Sequence, residues 1–146
     1  MSRIVIDASV GFKWCVLAES EPLAAEADQL LDSLVMGGIE VLVPDLFWAE
    51  IGNILWKYFR RQKATLEACQ TALASLQNMR LMTRPSADLV PEALEIAAAY
   101  GRTVYDSLYI ALAQRKQTNL ITADEKLANA LALYLPVKWL GALPLG

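Results

Sequence analysis

A helix-rich α/β protein, a three-layer α/β/α sandwich around a short central parallel sheet, is predicted by three features of the sequence. Compact apolar or β-branched runs recur at residues 3–7, 40–43, 79–83 and 119–122, each the length of a strand. Between them lie longer stretches with apolar residues at three- and four-residue spacing, the period of a helix with one buried face. Glycine and proline stand at the joints. Strands that alternate with helices pair in parallel, because each crossover needs about a helix of chain to return.

Taken in order, Arg3 to Asp7 (RIVID) shows no polar alternation, as a strand covered on both faces requires. Pro22 to Val35 carries Leu23, Ala27, Leu30, Leu31 and Leu34 at helical spacing and stops at Gly37-Gly38. Glu40 to Val43 is the second strand, closed by Pro44. Asp45 is placed to cap a helix reaching about Arg61, and another helix spans about Leu66 to Gln77. Met79 to Thr83 is the third strand. Ser86 can cap a helix through Tyr100, which Gly101 ends, and Thr103 opens the next, to about Lys116. Asn119 to Thr122 is the fourth strand, a last helix follows from Asp124, and Val137 to Leu140 adds an edge strand.

Composition narrows the chemistry. With 55% hydrophobic and 20% charged residues, and no repeat or linker, the 146 residues are expected to form a single domain over 1–146. Asp7 interrupts the first apolar run too early for a signal peptide. The apolar stretch Leu127 to Leu145 is broken by Asn129, Pro136, Lys138 and Pro144, so no membrane span is expected, and a cytoplasmic location is. Cys15 and Cys69 are too few for a zinc site and read as buried small hydrophobes. The chain has no histidine, which excludes Ser-His-Asp, Cys-His and histidine acid–base machinery. Carboxylates, hydroxyls, Lys/Arg or a bound ion remain, and Mg²⁺ or Mn²⁺ suits all-oxygen ligands. A net charge of −3 neither supports nor excludes a nucleic-acid substrate.

Four acidic residues stand out. Asp7 ends the first strand, Glu50 lies early in the helix after Pro44, Asp106 follows Thr103, and Asp124 follows the fourth strand. Each has an ordinary reading alone. Asp7 can cap a helix, Glu50 can sit on a solvated face near a positive helix end, and Thr103 with Asp106 has capping-box spacing. Thr122 and Glu125 can form a second capping box, which leaves Asp124 without a capping duty. Together the four fall on one predicted rim, where strand C-termini of open parallel sheets form their ligand sites. Two carboxylates about 6 Å apart repel by roughly 2.8 kcal/mol at an effective dielectric near 20, so four ionised ones cost on the order of 10–17 kcal/mol at most. That rivals the stability of a domain. Such a cluster must hold cations, carry protons or be paired with basic residues.

At these residues the sequence resembles the PIN-domain ribonucleases, and more closely the VapC-like toxins of type II toxin–antitoxin pairs. The matching segments are Ile4 to Ser9 (IVIDAS), Pro44 to Asn53 (PDLFWAEIGN), Tyr105 to Ala113 (YDSLYIALA) and Leu120 to Leu127 (LITADEKL), in order across essentially the whole chain. The resemblance implies an α/β/α fold, an RNA substrate, and Mg²⁺ or Mn²⁺ held by Asp7, Glu50, Asp106 and Asp124 as catalytic residues. It also implies a small antitoxin partner and a homodimer. Ser9, Asn53 and Thr122 fall where such proteins place supporting groups near the metal. Attack by water would leave a 5′-phosphate.

RNA binding needs positive charge. Arg102, near Asp106, is the first choice; Lys57 and Arg61, with Arg60, Lys63, Arg80 and Arg84, follow. Basic residues at a helix C-terminus have an ordinary reading too, since they favour the helix dipole. Trp14, Trp48, Trp56 and Trp139 could stack bases, but aromatics in such apolar helices usually belong to a core or interface. The main alternative is a PIN-like regulatory or partner-binding module that keeps the carboxylates without cleavage. A phosphatase of the haloacid-dehalogenase type wants an Asp where Ser9 stands, and a receiver domain wants a Lys that Asn119 to Asp124 does not supply. In a purely structural reading, every acidic residue is a cap or a solvated charge.

Overall fold

The computed structural model describes residues 2–15 and 21–144. Leu145, the last residue of the apolar C-terminal stretch, lies outside them. Five strands form one sheet: β1 (Ser2–Ile6), β2 (Ile39–Pro44), β3 (Leu81–Arg84), β4 (Leu120–Thr122) and β5 (Val137–Trp139). Their order is β3-β2-β1-β4-β5 and every pairing is parallel. Val5 sits between Leu42 on one side and Leu120 on the other. The chain therefore builds outward through β2 and β3, then returns to the free side of β1. The order reverses between β1 and β4, and a crevice opens there, outside the strand C-termini. Asp7 and Asp124 follow those two strands.

Burial explains the sequence pattern. Val5, Ile6, Val41, Leu42, Val43 and Leu120 are at most 1% exposed, so the central strands carry no polar alternation. α6 (Val104–Arg115) packs against β1 and β2, and α5 (Val90–Tyr100) packs against α6. Ser107 to Ala113 are consequently buried without a break, and α6 has no polar stripe along these residues. α3 (Leu46–Arg60) packs on α4 (Leu66–Gln77), where Cys69 Sγ donates to the Leu55 carbonyl at 3.4 Å, and Ile51, Leu55, Cys69, Ala72 and Leu76 are buried core residues of the two helices. Cys15 and Cys69 are buried free thiols, and burial pushes the Cys15 thiol up to about 11. Among the described residues no helix is long and apolar enough to cross a membrane.

Several ends differ from the sequence reading. A short helix, α1 (Ala8–Gly11), and a 3-10 turn at Phe12–Trp14 follow Asp7 directly. Gly11 is required there: a Cβ would lie 2.5 Å from the Phe47 ring of α3. α2 begins at Ala24 rather than Pro22, because Leu23 takes a left-handed φ of 62°. β3 begins at Leu81, since Met79 and Arg80 form the turn before it (Leu81 N–H to the Met79 carbonyl, 2.8 Å).

Asp45 and Ser86 do not cap their own helices. The Ser86 N–H donates to Asp45 Oδ1 at 3.1 Å, and the Leu46 N–H donates to Ser86 Oγ at 3.2 Å. The two residues satisfy each other's turns across the sheet end, and α5 starts four residues after Ser86. α7 (Glu125–Leu131) is capped by Asp124, whose Oδ1 accepts from the Leu127 N–H at 3.1 Å. The expected Thr122–Glu125 box is therefore absent. Thr122 ends β4 and turns its hydroxyl elsewhere.

Candidate active site

Asp7, Glu50, Asp106 and Asp124 come from four elements and line one cleft of about 500 Å³ at the β1/β4 switch point. Ser9, Asn53, Lys57, Tyr105 and Tyr109 share its wall. Strand order alone brings Asp7 beside Asp124. α3 enters from the end of β2 and α6 from the turn at Gly101, so their first two turns face the same opening.

Asp7 has the most elaborate setting. Ser9 Oγ donates to its Oδ1 at 2.5 Å, Thr122 Oγ1 donates to its Oδ2 at 2.5 Å, and the Val10 N–H reaches Oδ1 at 3.3 Å. Asp7 is thus also the N-cap of α1, so capping and membership of the site are not alternatives. Ser9 Oγ and Thr122 Oγ1 tie the β4 end in as well, accepting from the N–H groups of Ala123 (3.0 Å) and Asp124 (3.1 Å). Thr122 is fully buried. On the far wall the Tyr109 hydroxyl donates to Glu50 Oε1.

Electrostatics link all four. Burial pushes the Asp7 carboxyl up to about 6, against the hydrogen bonds from Ser9, Thr122 and Val10, and the Glu50 charge adds to the rise. Glu50 is raised by burial and then by the Asp106 charge, against the Tyr109 bond. Asp106 is raised by burial and by Asp124, with Arg102 opposing. Each carboxylate therefore feels the next along the cleft wall. Among the described residues none of the four has an ion pair. Nor do three or more of the acids stand close enough to form a ready-made metal site: Asp7 is held by hydroxyls, Glu50 by Tyr109 and Asp124 by its cap.

Residues 4–131 match the profile of the PIN domain. The chain belongs to the PIN-domain family. It is 30% identical to Ribonuclease VapC3 of Pyrobaculum aerophilum over 129 residues, which covers 87% of this chain and 93% of that protein. Two solved structures share the fold. PAE2754 from P. aerophilum superposes with a TM-score of 0.68 at 23% identity, covering 96% of this chain and 92% of that one. A toxin–antitoxin complex from Klebsiella pneumoniae gives 0.60 at 17%, covering 92% and 95%.

Within this PIN domain the sequence-derived candidates divide. Ser9 and Thr122 bond to Asp7, while Asn53 and Lys57 line the cleft one and two helical turns beyond Glu50. Arg102 is near enough to lower Asp106, and its Nη2 donates to the Lys126 carbonyl at 3.5 Å. Arg61 is not part of the cleft lining. Arg80 is at the opposite end of the sheet, where a larger cavity of about 630 Å³ is lined by Leu34, Ile39, Glu40, Met79 and Met82 and holds none of the four acids. Trp14 is buried, with its Nε1 donating to the Ala27 carbonyl at 2.8 Å, and Trp48 bonds Thr83 Oγ1 at 3.0 Å. Of the tryptophans only Trp56 is largely exposed, with Arg60 5.3 Å from its ring.

Tyr109 escaped the sequence reading. It sits three residues after Asp106, one helical turn on, which was the available signal, but its neighbours are all core residues. Burial and the Glu50 bond hold its hydroxyl far above the usual phenol range, so it stays a donor. Tyr109→Phe is expected to free Glu50 and, should Glu50 serve as a metal ligand as proposed below, to weaken divalent-cation affinity about 10–100-fold, the usual effect of losing a ligand's supporting bond. Calorimetric Mn²⁺ titration of the two proteins measures this.

Proposed function

We propose that this PIN domain is a divalent-metal-dependent endoribonuclease, the toxin of a pair neutralised by a small antitoxin protein, with Asp7, Glu50, Asp106 and Asp124 holding Mg²⁺ or Mn²⁺. The observation that carries the reading is the chain of four carboxylates around one cleft, each repelled by the next, without an ion pair among the described residues. The donor set is all oxygen and suits a hard cation. A ribonuclease relative at 30% identity and a toxin–antitoxin complex of the same fold support the substrate and partner classes.

When bound, the ion supplies an activated water and neutralises charge on the phosphoryl group. The protein's own part is orientation. Ser9 and Thr122 aim both Asp7 oxygens, Tyr109 aims Glu50, and the Asp124 cap fixes Asp124 to the first turn of α7. Asn53 and Lys57, on the α3 wall, are placed to meet the ribose-phosphate chain, and Arg102 to meet a phosphate beside Asp106. The chain has no histidine to take the proton of a ribose 2′-hydroxyl, so water attack and 5′-phosphate products are expected. The test is incubation with single-stranded RNA in Mn²⁺ or EDTA, followed by end-group analysis. Cleavage only in Mn²⁺ with 5′-phosphate ends supports the reading; 2′,3′-cyclic phosphates, or cleavage in EDTA, contradict it.

A further inference from the structure

A second cavity, of about 400 Å³, shares the wall formed by Ser9, Ile54 and Asp124 with the acidic cleft. Its other lining includes Phe12, Lys13, Glu21, Leu23 and Tyr58. Lys13 is unusual for a lysine: its side chain is only 5% exposed, and among the described residues its ion-pair partner is Glu21, 3.5 Å from Nζ and a third exposed. Burying an ammonium group against one loose, partly solvated partner is costly. The molecule retains that arrangement within one cavity wall of Asp124.

Further positive charge lies beside this cavity. Lys63 Nζ lies 5.4 Å from the Tyr58 ring centre, and the Arg61 charge reaches the Tyr58 hydroxyl, as does that of Glu21. Tyr58 is itself braced edge-on by Phe12, with ring centres 5.0 Å apart. A basic groove that carries an aromatic ring is the usual form of a single-strand nucleic-acid subsite, stacking a base while the cations meet its phosphate. The volume lies within the roughly 300–1,000 Å³ of small-ligand sites.

We propose that this cavity binds the ribonucleotide on the side of the scissile phosphate away from Lys57, with Lys13 contacting a phosphate and Tyr58 stacking the base. The proposal rests on the ribonuclease reading. RNA passing over the four acids would then lie between two basic walls, Lys57 on one side and Lys13 on the other. Glu21 holds Lys13 in place when no RNA is bound and yields it to the incoming phosphate.

Two substitutions with opposite expected signs test this, each in an Asp7→Asn background so that binding is read without cleavage. The probe is a fluorescein-labelled single-stranded oligoribonucleotide followed by anisotropy. Lys13→Met is expected to weaken its Kd about 10-fold and to reduce the salt dependence by about one phosphate contact. Glu21→Gln is expected to tighten Kd several-fold, and Lys13→Arg to keep most of the affinity. A merely structural ion pair would lower the melting temperature in both variants without moving Kd in opposite directions. Kd within two-fold of the parent for Glu21→Gln and for whichever Lys13 variant folds overturns the proposal. Cleavage by the wild-type chain in Mn²⁺, run in parallel, reports separately on the ribonuclease reading.

Discussion

Asp7→Asn is expected to abolish Mn²⁺-dependent RNA cleavage and, at the same time, to stabilise the metal-free fold. The loss should exceed the roughly 10–100-fold that removal of a supporting residue costs, since Asp7 is proposed as a ligand itself. The gain follows from burial. The Asp7 carboxyl is pushed up to about 6, whereas in the unfolded chain it lies near 3.8. Between those values the native state holds a proton that the unfolded state has lost, so native stability falls as pH rises from about 4 to about 6. The full difference is ~3 kcal/mol. Asparagine carries no charge, keeps an oxygen for the Val10 N–H and removes most of that slope. Its poorer match to two donating hydroxyls offsets part of the gain. The expected net effect at pH 7.5 in EDTA is about 1–3 kcal/mol, or roughly 3–10 °C in Tm. Urea unfolding at pH 4.5 and pH 7.5 checks the sign, because the variant's advantage should shrink at the lower pH.

Thr122→Val is expected to act the other way, and strongly. Thr122 is fully buried, and its hydroxyl donates to Asp7 Oδ2 while accepting from the Asp124 N–H. Valine fills the same space and leaves both groups without partners, each worth about 1–3 kcal/mol. The expected destabilisation is about 2–4 kcal/mol. The lost bond also lets the Asp7 carboxyl rise further, since that bond lowers it. Divalent-cation affinity should therefore fall about 10–100-fold, with Thr122→Ser restoring most of both properties. Urea unfolding and Mn²⁺ calorimetry on the three proteins measure the two effects.

How far the sequence could be read depended on the range of each interaction. Asp7 and Asp124 were legible because a strand and the polar residue after it are adjacent in the chain, and a parallel sheet puts its sites there. Glu50 was legible from its place early in a helix, and Asp106 from the Thr103 cap, which the structure retains. Ser9 and Thr122 lie within two residues of an acid, and they bond across 114 and 115 positions to close the site. What stayed hidden was decided by partners far along the chain. Asp45 and Ser86 look like two separate caps until the sheet brings them together 41 residues apart. Local spacing favoured a Thr122–Glu125 box, but Asp7 captures the Thr122 hydroxyl and leaves the cap to Asp124. Tyr109 reads as one more apolar position of a buried helix, because its role depends on α3 facing α6 across the cleft.

The most direct test of the site is Mn²⁺ binding, followed by electron paramagnetic resonance, to the wild-type chain and to Asp7→Asn, Glu50→Gln, Asp106→Asn and Asp124→Asn. Saturable binding to the wild type, weakened at least about 10-fold by each substitution, is the expected result. Absence of saturable binding to the wild type, or affinity unchanged across all four variants, would contradict a cation site built from these carboxylates.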